Sequence, residues 1–460
     1  VAEDEDVGRT SVARSCAVAI FAALGLPACG SSAAGPPGDA GVVVADTGTA
    51  ETGPLVDGGS PPADGGTADA LSSCVPALPH PAWTSPYAGW THGIPTDPSF
   101  FPLAAWLQGS WHATELSQLG INIYVGNNAG TDPMAASDLA TIKAQGMYAI
   151  VGQDSVGLAS LDDPTIVGWW MTPDEPDNAQ SNGMGGYGPP VAPATLVTQY
   201  QAYQKADPTR PIWLGLGQGV AYDAWEGRGS NPPAESGYVP ASDIVAFDIY
   251  PYNACGGDAN QMAICGQFWL NAFGVDRLHQ WANRKQAAWT DVETTNFNGG
   301  TAGPTPVQTA SEVWLSLIHE ANGIVYFLDV LSPTFREDGI FENPAMVTAV
   351  TALNKQILSL APELNSTTVT GLVTTTSSSS TVSIDTMVKT GGSSIYVFSA
   401  VSRAGTATAS YAIAGLTGNG VATVVGENRT VPVKAGKFSD AFAANAVHIY
   451  QIDLSAVTCP

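Results

Sequence analysis

The chain is short of charge, and shorter still of positive charge. Only 12% of its 460 residues are charged, with 16 Lys or Arg against 41 Asp or Glu and a net charge of −25. Nucleic-acid binding needs clustered Lys and Arg to displace counterions from phosphates, so no nucleic-acid partner is expected. Attraction of a basic face to an anionic membrane is excluded on the same ground. Histidine is scarce too. Its six residues fall at no ligand spacing, so no metal site and no cofactor are expected. No glycine-rich phosphate loop follows an early strand-like run. No Gly-x-Ser-x-Gly elbow is present, which argues against an esterase. Beyond the N-terminal region no apolar run is long enough to cross a bilayer. Apolar and flat residues, by contrast, are plentiful: 44% are hydrophobic, and there are 12 Trp and 14 Tyr. Such a chain can build a large core and stack against the apolar faces of an uncharged ligand.

The N-terminus does not read as part of a fold. Arg9 and Arg14 precede an apolar run from Cys16 to Cys29 that closes Leu26-Pro27-Ala28-Cys29. That is the layout of a secretory signal, and its end resembles a bacterial lipobox with Cys29 as the lipidated residue. Residues 1–29 are read as the signal. Residues 30–73 hold no Lys, Arg or aromatic side chain and are read as a disordered Gly/Ala/Pro/Asp-rich tether. The protein would then be extracytoplasmic, either secreted or at a bacterial outer membrane or cell surface, meeting the membrane only through a lipid anchor. Setting Cys16 and Cys29 aside leaves four cysteines and three connectivities. Cys255 and Cys265 bracket a short loop and pair most simply with each other. Cys74 and Cys459 would then tie the start of the folded body to its end.

Within residues 74–360, strand-like runs alternate with amphipathic helical stretches. The runs are 87–93, 121–127, 147–152, 166–175, 211–217, 243–252, 286–295 and 323–331. Eight such units have the size and rhythm of a (β/α)8 TIM barrel. An open doubly wound sheet is the competing architecture, and the missing phosphate loop removes the usual reason for it. From 361 to 460 the texture turns Thr-, Ser- and Val-rich with period-2 alternation and Gly turns, which predicts a small all-β sandwich domain. Packing support for the barrel or carbohydrate binding are its two readings.

In a TIM barrel the reacting groups stand where strands end. The fourth run, in "GWWMTPDEPDN", ends in Asp174-Glu175. The sixth, "FDIYPYN", carries Asp248 and Tyr250. The seventh, "WTDVETTN", carries Asp291 and Glu293. Glutamates ending strands four and seven resemble the plan of the clan A glycoside hydrolases, the retaining (β/α)8 enzymes, in which a sandwich domain also commonly follows the barrel. The resemblance implies Glu175 as acid/base, Glu293 as nucleophile, and Tyr250 as the tyrosine that hydrogen-bonds the nucleophile. Asp174 stands where the clan usually has Asn, and no Trp ends the eighth strand, so no family within the clan is assigned. Asp291 lies two residues before Glu293 on the same strand face and competes with it. Pairing Asp291 with Glu293, as in barrel enzymes that cleave cell-wall glycan, leaves Glu175 without a task.

Two carboxyls are what glycoside hydrolysis needs. One protonates the leaving oxygen while the other attacks the anomeric carbon or activates water. Around them, Trp90 and Trp289 are the expected sugar platforms, and Asp174, Asn127 and Gln218 the expected hydroxyl partners, with Gln153, Asp154 and His92 as further candidates. The expected protein is a monomeric hydrolase of neutral β-linked poly- or oligosaccharide. The alternative is a non-catalytic glycan-binding protein on the same scaffold.

Overall fold

The computed structural model describes residues 74–127, 134–184, 186–227, 234–299 and 303–460. The expected signal, Cys29 and the tether lie outside the described residues. Eight parallel strands close into a barrel in sequence order: β1 (Leu103–Trp106), β2 (Ile123–Val125), β3 (Tyr148–Gly152), β4 (Ile166–Trp170), β5 (Ile212–Leu216), β6 (Ile244–Phe247), β7 (Ala287–Glu293) and β8 (Gly323–Phe327). Helices α1 (Ala113–Gln118), α2 (Ala136–Ala144), α3 (Ser155–Ala159), α4 (Pro193–Ala206), α5 (Ala259–Met262), α6 (Leu270–Trp281), α7 (Pro306–Ile318) and α8 (Pro344–Ser359) fill the crossovers, and a short α9 (Ala361–Leu364) leads out of the barrel. None of the described helices is long and apolar enough to cross a membrane.

Period-2 alternation sorts the strand side chains into two cores. Trp106, Val125, Ile150, Trp170, Trp213 and Trp289 belong to the cluster that fills the lumen. Ala105, Tyr124, Val151, Trp169, Leu214 and Val292 belong to the cluster beneath the helices. Neighbours in sequence therefore part company. Trp169 turns outward and donates to Asp207 at 3.0 Å, while Trp170 turns inward against Trp106, ring centroids 5.2 Å apart.

The first strand is not where the sequence pattern placed it. Residues 87–93 form turns, closed by Ala88 N–H to Ser85 O and Trp90 N–H to Tyr87 O. The segment plugs the N-terminal end of the barrel. Tyr87 donates to Asn322 O at 2.8 Å and accepts from the Trp289 indole at 2.8 Å. The true β1, Leu-Ala-Ala-Trp, is four residues long and wholly buried, so it shows neither alternation nor length. This corrects both expected sugar platforms. Trp90 packs at the closed end, and Trp289 is fully buried with its indole N–H already used. His92 is at the same end, its backbone bonded to Thr209 just before β5. They belong to the base of the barrel because a lumen open at that end would expose its lower layer to water.

The C-terminal part is a two-sheet β-sandwich. One sheet has the order β10 (Ile384–Gly391), β11 (Ser394–Val401), β16 (Val447–Asp453), β13 (Gly420–Val424), β14 (Arg429–Val433). The other has the order β15 (Lys437–Phe442), β12 (Ala407–Ile413), β9 (Val373–Ser377). It packs on α7 and α9. Trp314 of α7 meets Phe398 of β11 at 6.0 Å. His319 bridges Asp276 (2.8 Å) and Asp385 (3.1 Å), and both carboxylates push its pKa up to about 9 against its own burial. Both disulfides form, Cys74–Cys459 and Cys255–Cys265.

Candidate active site

The β4 end delivers the first acids. After Met171 the chain turns through Asp174-Glu175-Pro176-Asp177. Glu175 takes a left-handed φ of 43°, a conformation that costs a non-glycine residue energy and often marks a functional position. The turn is well braced. Asn178 N–H and the Gln180 amide donate to Glu175 O, and the Asn178 amide reaches Glu175 Oε2 at 3.3 Å. Asp177 is held by Gly217 N–H at 2.9 and 3.0 Å.

The β5 end supplies room. Its Gly215-Leu216-Gly217 stretch runs under the acidic turn. A Cβ on Gly215 would lie 3.3 Å from Asp174 Oδ1, and one on Gly217 would lie 2.9 Å from Glu175 Oε1 and 3.2 Å from Asp177 Oδ2. Gly217→Ala should therefore displace the Glu175 carboxyl, since a flexible side-chain end yields before backbone does. Misplacing a reacting group by about 1 Å can cost about 100-fold. We expect a loss of that order in kcat/KM, with a thermal midpoint close to the parent's, read by steady-state kinetics and calorimetry.

Strands β6 and β7 complete the group. Asp248 and Asp291 are paired by a parallel bridge. Burial pushes both carboxyls well above the ordinary range. The charges of Asp174 and Glu175 add to this at Asp291, and those of Glu175, Asp291, Asp174 and Asp177 add to it at Asp248. Tyr250 stands beside the same acids, its phenol pushed up by burial and then by Asp248, Asp291, Glu175 and Asp174. Its ring rests on Phe297 and Phe327 at 5.1 and 5.3 Å. Strands β4, β6 and β7 thus bring Asp174, Glu175, Asp177, Asp248 and Asp291 to one mouth, with the β5 glycines making room between them.

That mouth also has unused hydrogen-bonding capacity. Among the described residues, Asp248 Oδ1, Asp291 Oδ1, Asn127 Oδ1, Gln218 Oε1 and the indole N–H groups of Trp170 and Trp213 are buried without a partner. Buried polar atoms are ordinarily paired, so a concentration of donors and acceptors at strand ends marks a place for a polar ligand. Trp106, Trp170 and Trp213 form its floor, with centroids 5.2 and 5.5 Å apart. No group of three or more His, Cys, Asp or Glu among the described residues is arranged to hold a metal ion.

Glu293 is not part of this gathering. It is fully buried, whereas Asp291 and Glu175 each keep 6% of their surface. Its carboxylate accepts from Tyr252 N–H (2.6 Å), Asn253 N–H (2.8 Å) and the Asn253 amide (2.5 Å), and it faces Glu312 of α7. Glu293 was expected opposite Glu175; its carboxylate instead faces Glu312, and the β7 carboxyl that feels the Glu175 charge is Asp291. The physical reason lies in the turn after β6. Two buried N–H groups with no strand partner need an acceptor, and Glu293 provides it. Tyr250 correspondingly neighbours Asp291 rather than Glu293. Asp174, Asn127 and Gln218 come to the mouth. Gln153 is used on Tyr203 O, and Asp154 caps α3 through Val156 and Gly157 N–H. Sequence reading missed Asp177, Trp213 and Glu235. Asp177 had a signal, being the third acid of the Asp-Glu-Pro-Asp turn. Glu235 had none. It lies in a loop without pattern, where burial and then Asp177 raise its pKa to about 10, partly offset by Arg277.

The fold and site define an acid-lined TIM barrel carrying a β-sandwich. No family model matches the chain, and no curated protein matches it. Among solved structures it is similar to a GH30 endoxylanase from Clostridium papyrosolvens C71, at 11% identity over 77% of this chain and 96% of that one, TM-score 0.42. A family 30 subfamily 8 glycoside hydrolase, a xylanase from Clostridium acetobutylicum, gives 14% identity over 76% and 96%, TM-score 0.42. An alpha-amylase from Geobacillus thermoleovorans gives 10% over 78% and 99%, TM-score 0.38. These are likenesses of fold at low identity and carry no argument about chemistry.

Proposed function

We propose that the protein is a glycoside hydrolase whose working carboxyls are Glu175 and Asp291. The observation that carries this reading is the convergence of strand-end carboxyls with unpartnered indole N–H groups in one mouth. Carboxyls at two strand ends suit general acid and nucleophile chemistry, and indole and amide groups suit sugar hydroxyls. The crowded acids share protons, and in the reacting state the proton rests on Glu175, which acts as acid/base, leaving Asp291 ionised as nucleophile in a retaining double displacement. Asp174, Tyr250, Asn127 and Gln218 hold the sugar. The substrate is a neutral β-linked poly- or oligosaccharide, met outside the cytoplasm by a secreted or lipid-anchored monomer. No cofactor enters the reaction.

The test is hydrolysis of a panel of β-glycans and aryl β-glycosides by the purified protein, with Glu175→Gln as control. Turnover lost in Glu175→Gln, with anomeric configuration retained by NMR, is the expected result. Inversion would remove the nucleophile role of Asp291. Binding without turnover on the whole panel would leave a non-catalytic glycan-binding protein.

A further inference from the structure

The barrel mouth has a rim as well as a centre. Most exposed large apolar side chains on the described barrel stand on connections that follow strands: Trp111 after β1, Met184 and Tyr187 after β4, Met262 after β6 and Phe335 after β8. Trp111 is the one whose setting is built. It is 59% exposed, yet its ring is fixed. The indole N–H donates to the unprotonated Nε2 of His112 at 2.9 Å, beside the Glu337 side chain. Glu337 Oε2 in turn accepts from Gly109 N–H at 3.2 Å. The six-membered edge of the indole covers Gly109 so closely that a Cβ there would fall 2.4 to 2.6 Å from ring atoms.

An indole with its N–H consumed and one side against backbone offers only an apolar face. Leaving that face in water is unfavourable, and fixing it in advance removes the entropy cost of ordering it on binding. A flat, rigid apolar surface next to a polar mouth suits the C–H face of a pyranose ring. Trp111 follows Trp106, which forms part of the mouth floor, by five residues on the same strand exit. We propose that Trp111 is a stacking platform for a sugar unit remote from the reacting bond, so that the site takes a glycan chain rather than a mono- or disaccharide. The proposal rests on the glycan reading of the mouth but not on turnover.

Binding is measured by affinity electrophoresis of Glu175→Gln in gels containing soluble xylan, mixed-linkage β-glucan or galactomannan, with and without Trp111→Ala. Retardation by at least one glycan is expected, weakened about tenfold by Trp111→Ala and largely restored by Trp111→Phe. In the active protein the loss from Trp111→Ala should grow with chain length, large on polymer and small on an aryl monoglycoside. Equal retardation of both proteins, an equal loss at every chain length, or no retardation by any glycan overturns the platform. Trp111-dependent retardation without hydrolysis would sink the catalytic reading and keep the platform. Hydrolysis of aryl glycosides without Trp111-dependent retardation would do the reverse.

Discussion

Asp291→Asn should lower kcat/KM by about 10⁴-fold while leaving the protein at least as stable as its parent. The substitution keeps the size of the side chain and removes only the ability to attack or carry a proton. It also removes an acid from a crowded group, where burial and the Asp174 and Glu175 charges already push the Asp291 carboxyl up. Relief of that crowding is stabilising, the usual sign of a site organised for function at the expense of fold. Glu293→Gln should behave oppositely, with a lower thermal midpoint and turnover per folded molecule near the parent's. Kinetics and calorimetry on the two variants separate the assignments. A turnover in Asp291→Asn within tenfold of the parent would return the second carboxyl to another residue.

The largest stability effect is expected at the Glu293–Glu312 pair. Glu293→Ala leaves three donors from Tyr252 and Asn253 without an acceptor in a fully buried place, a loss of about 3–5 kcal/mol. The same pair makes stability depend on pH. Burial raises Glu293 to about 7, against the lowering effect of its hydrogen bonds to Tyr252 and Asn253. Burial, then the Glu293 charge, raises Glu312 well above its ordinary value. A carboxyl whose folded pKa exceeds its unfolded value holds more protons folded than unfolded. Its stabilisation is complete below the unfolded value of 4.5 and is lost as pH rises through about 7. The loss is about 3 kcal/mol across that window at about 1.4 kcal/mol per pH unit. Glu312→Gln removes one of the two carboxyls whose proton affinity is raised in this buried place, so the fall in thermal midpoint between pH 5 and 8 should flatten. An unchanged pH slope in Glu312→Gln would show that the two carboxyls do not titrate together.

Much of the barrel was legible because parallel strands buried on both faces read as short apolar runs between helical periodicities. Seven of the eight runs contain the observed strands. The first failed for a physical reason. "YAGWTHG" carries the aromatic alternation of a strand but spends it on plugging the barrel base, while Leu103–Trp106 is too short and too evenly buried to stand out. That error hid the loop after β1, and with it Trp111.

The acids were legible in type and approximate place but not in partnership. Asp291 and Glu293 share strand parity, and sequence offers no means of choosing between them. The choice depends on where a carboxylate finds donors. The turn at 252–253 supplies them to Glu293, and the mouth leaves Asp291 facing Asp174 and Glu175. The sequence by itself determined an acidic, lysine-poor chain, an alternating β/α body, a trailing β domain, two disulfides and strand ends rich in carboxyls. Those properties are local: periodicity, composition and spacing are carried by neighbouring residues. Only the tertiary structure decided which tryptophans are floor, base or rim, and which carboxyls meet. Residues from 106 to 291 come together there through barrel closure, and the competition for buried hydrogen-bond donors is settled only when the whole ring of strands is in place.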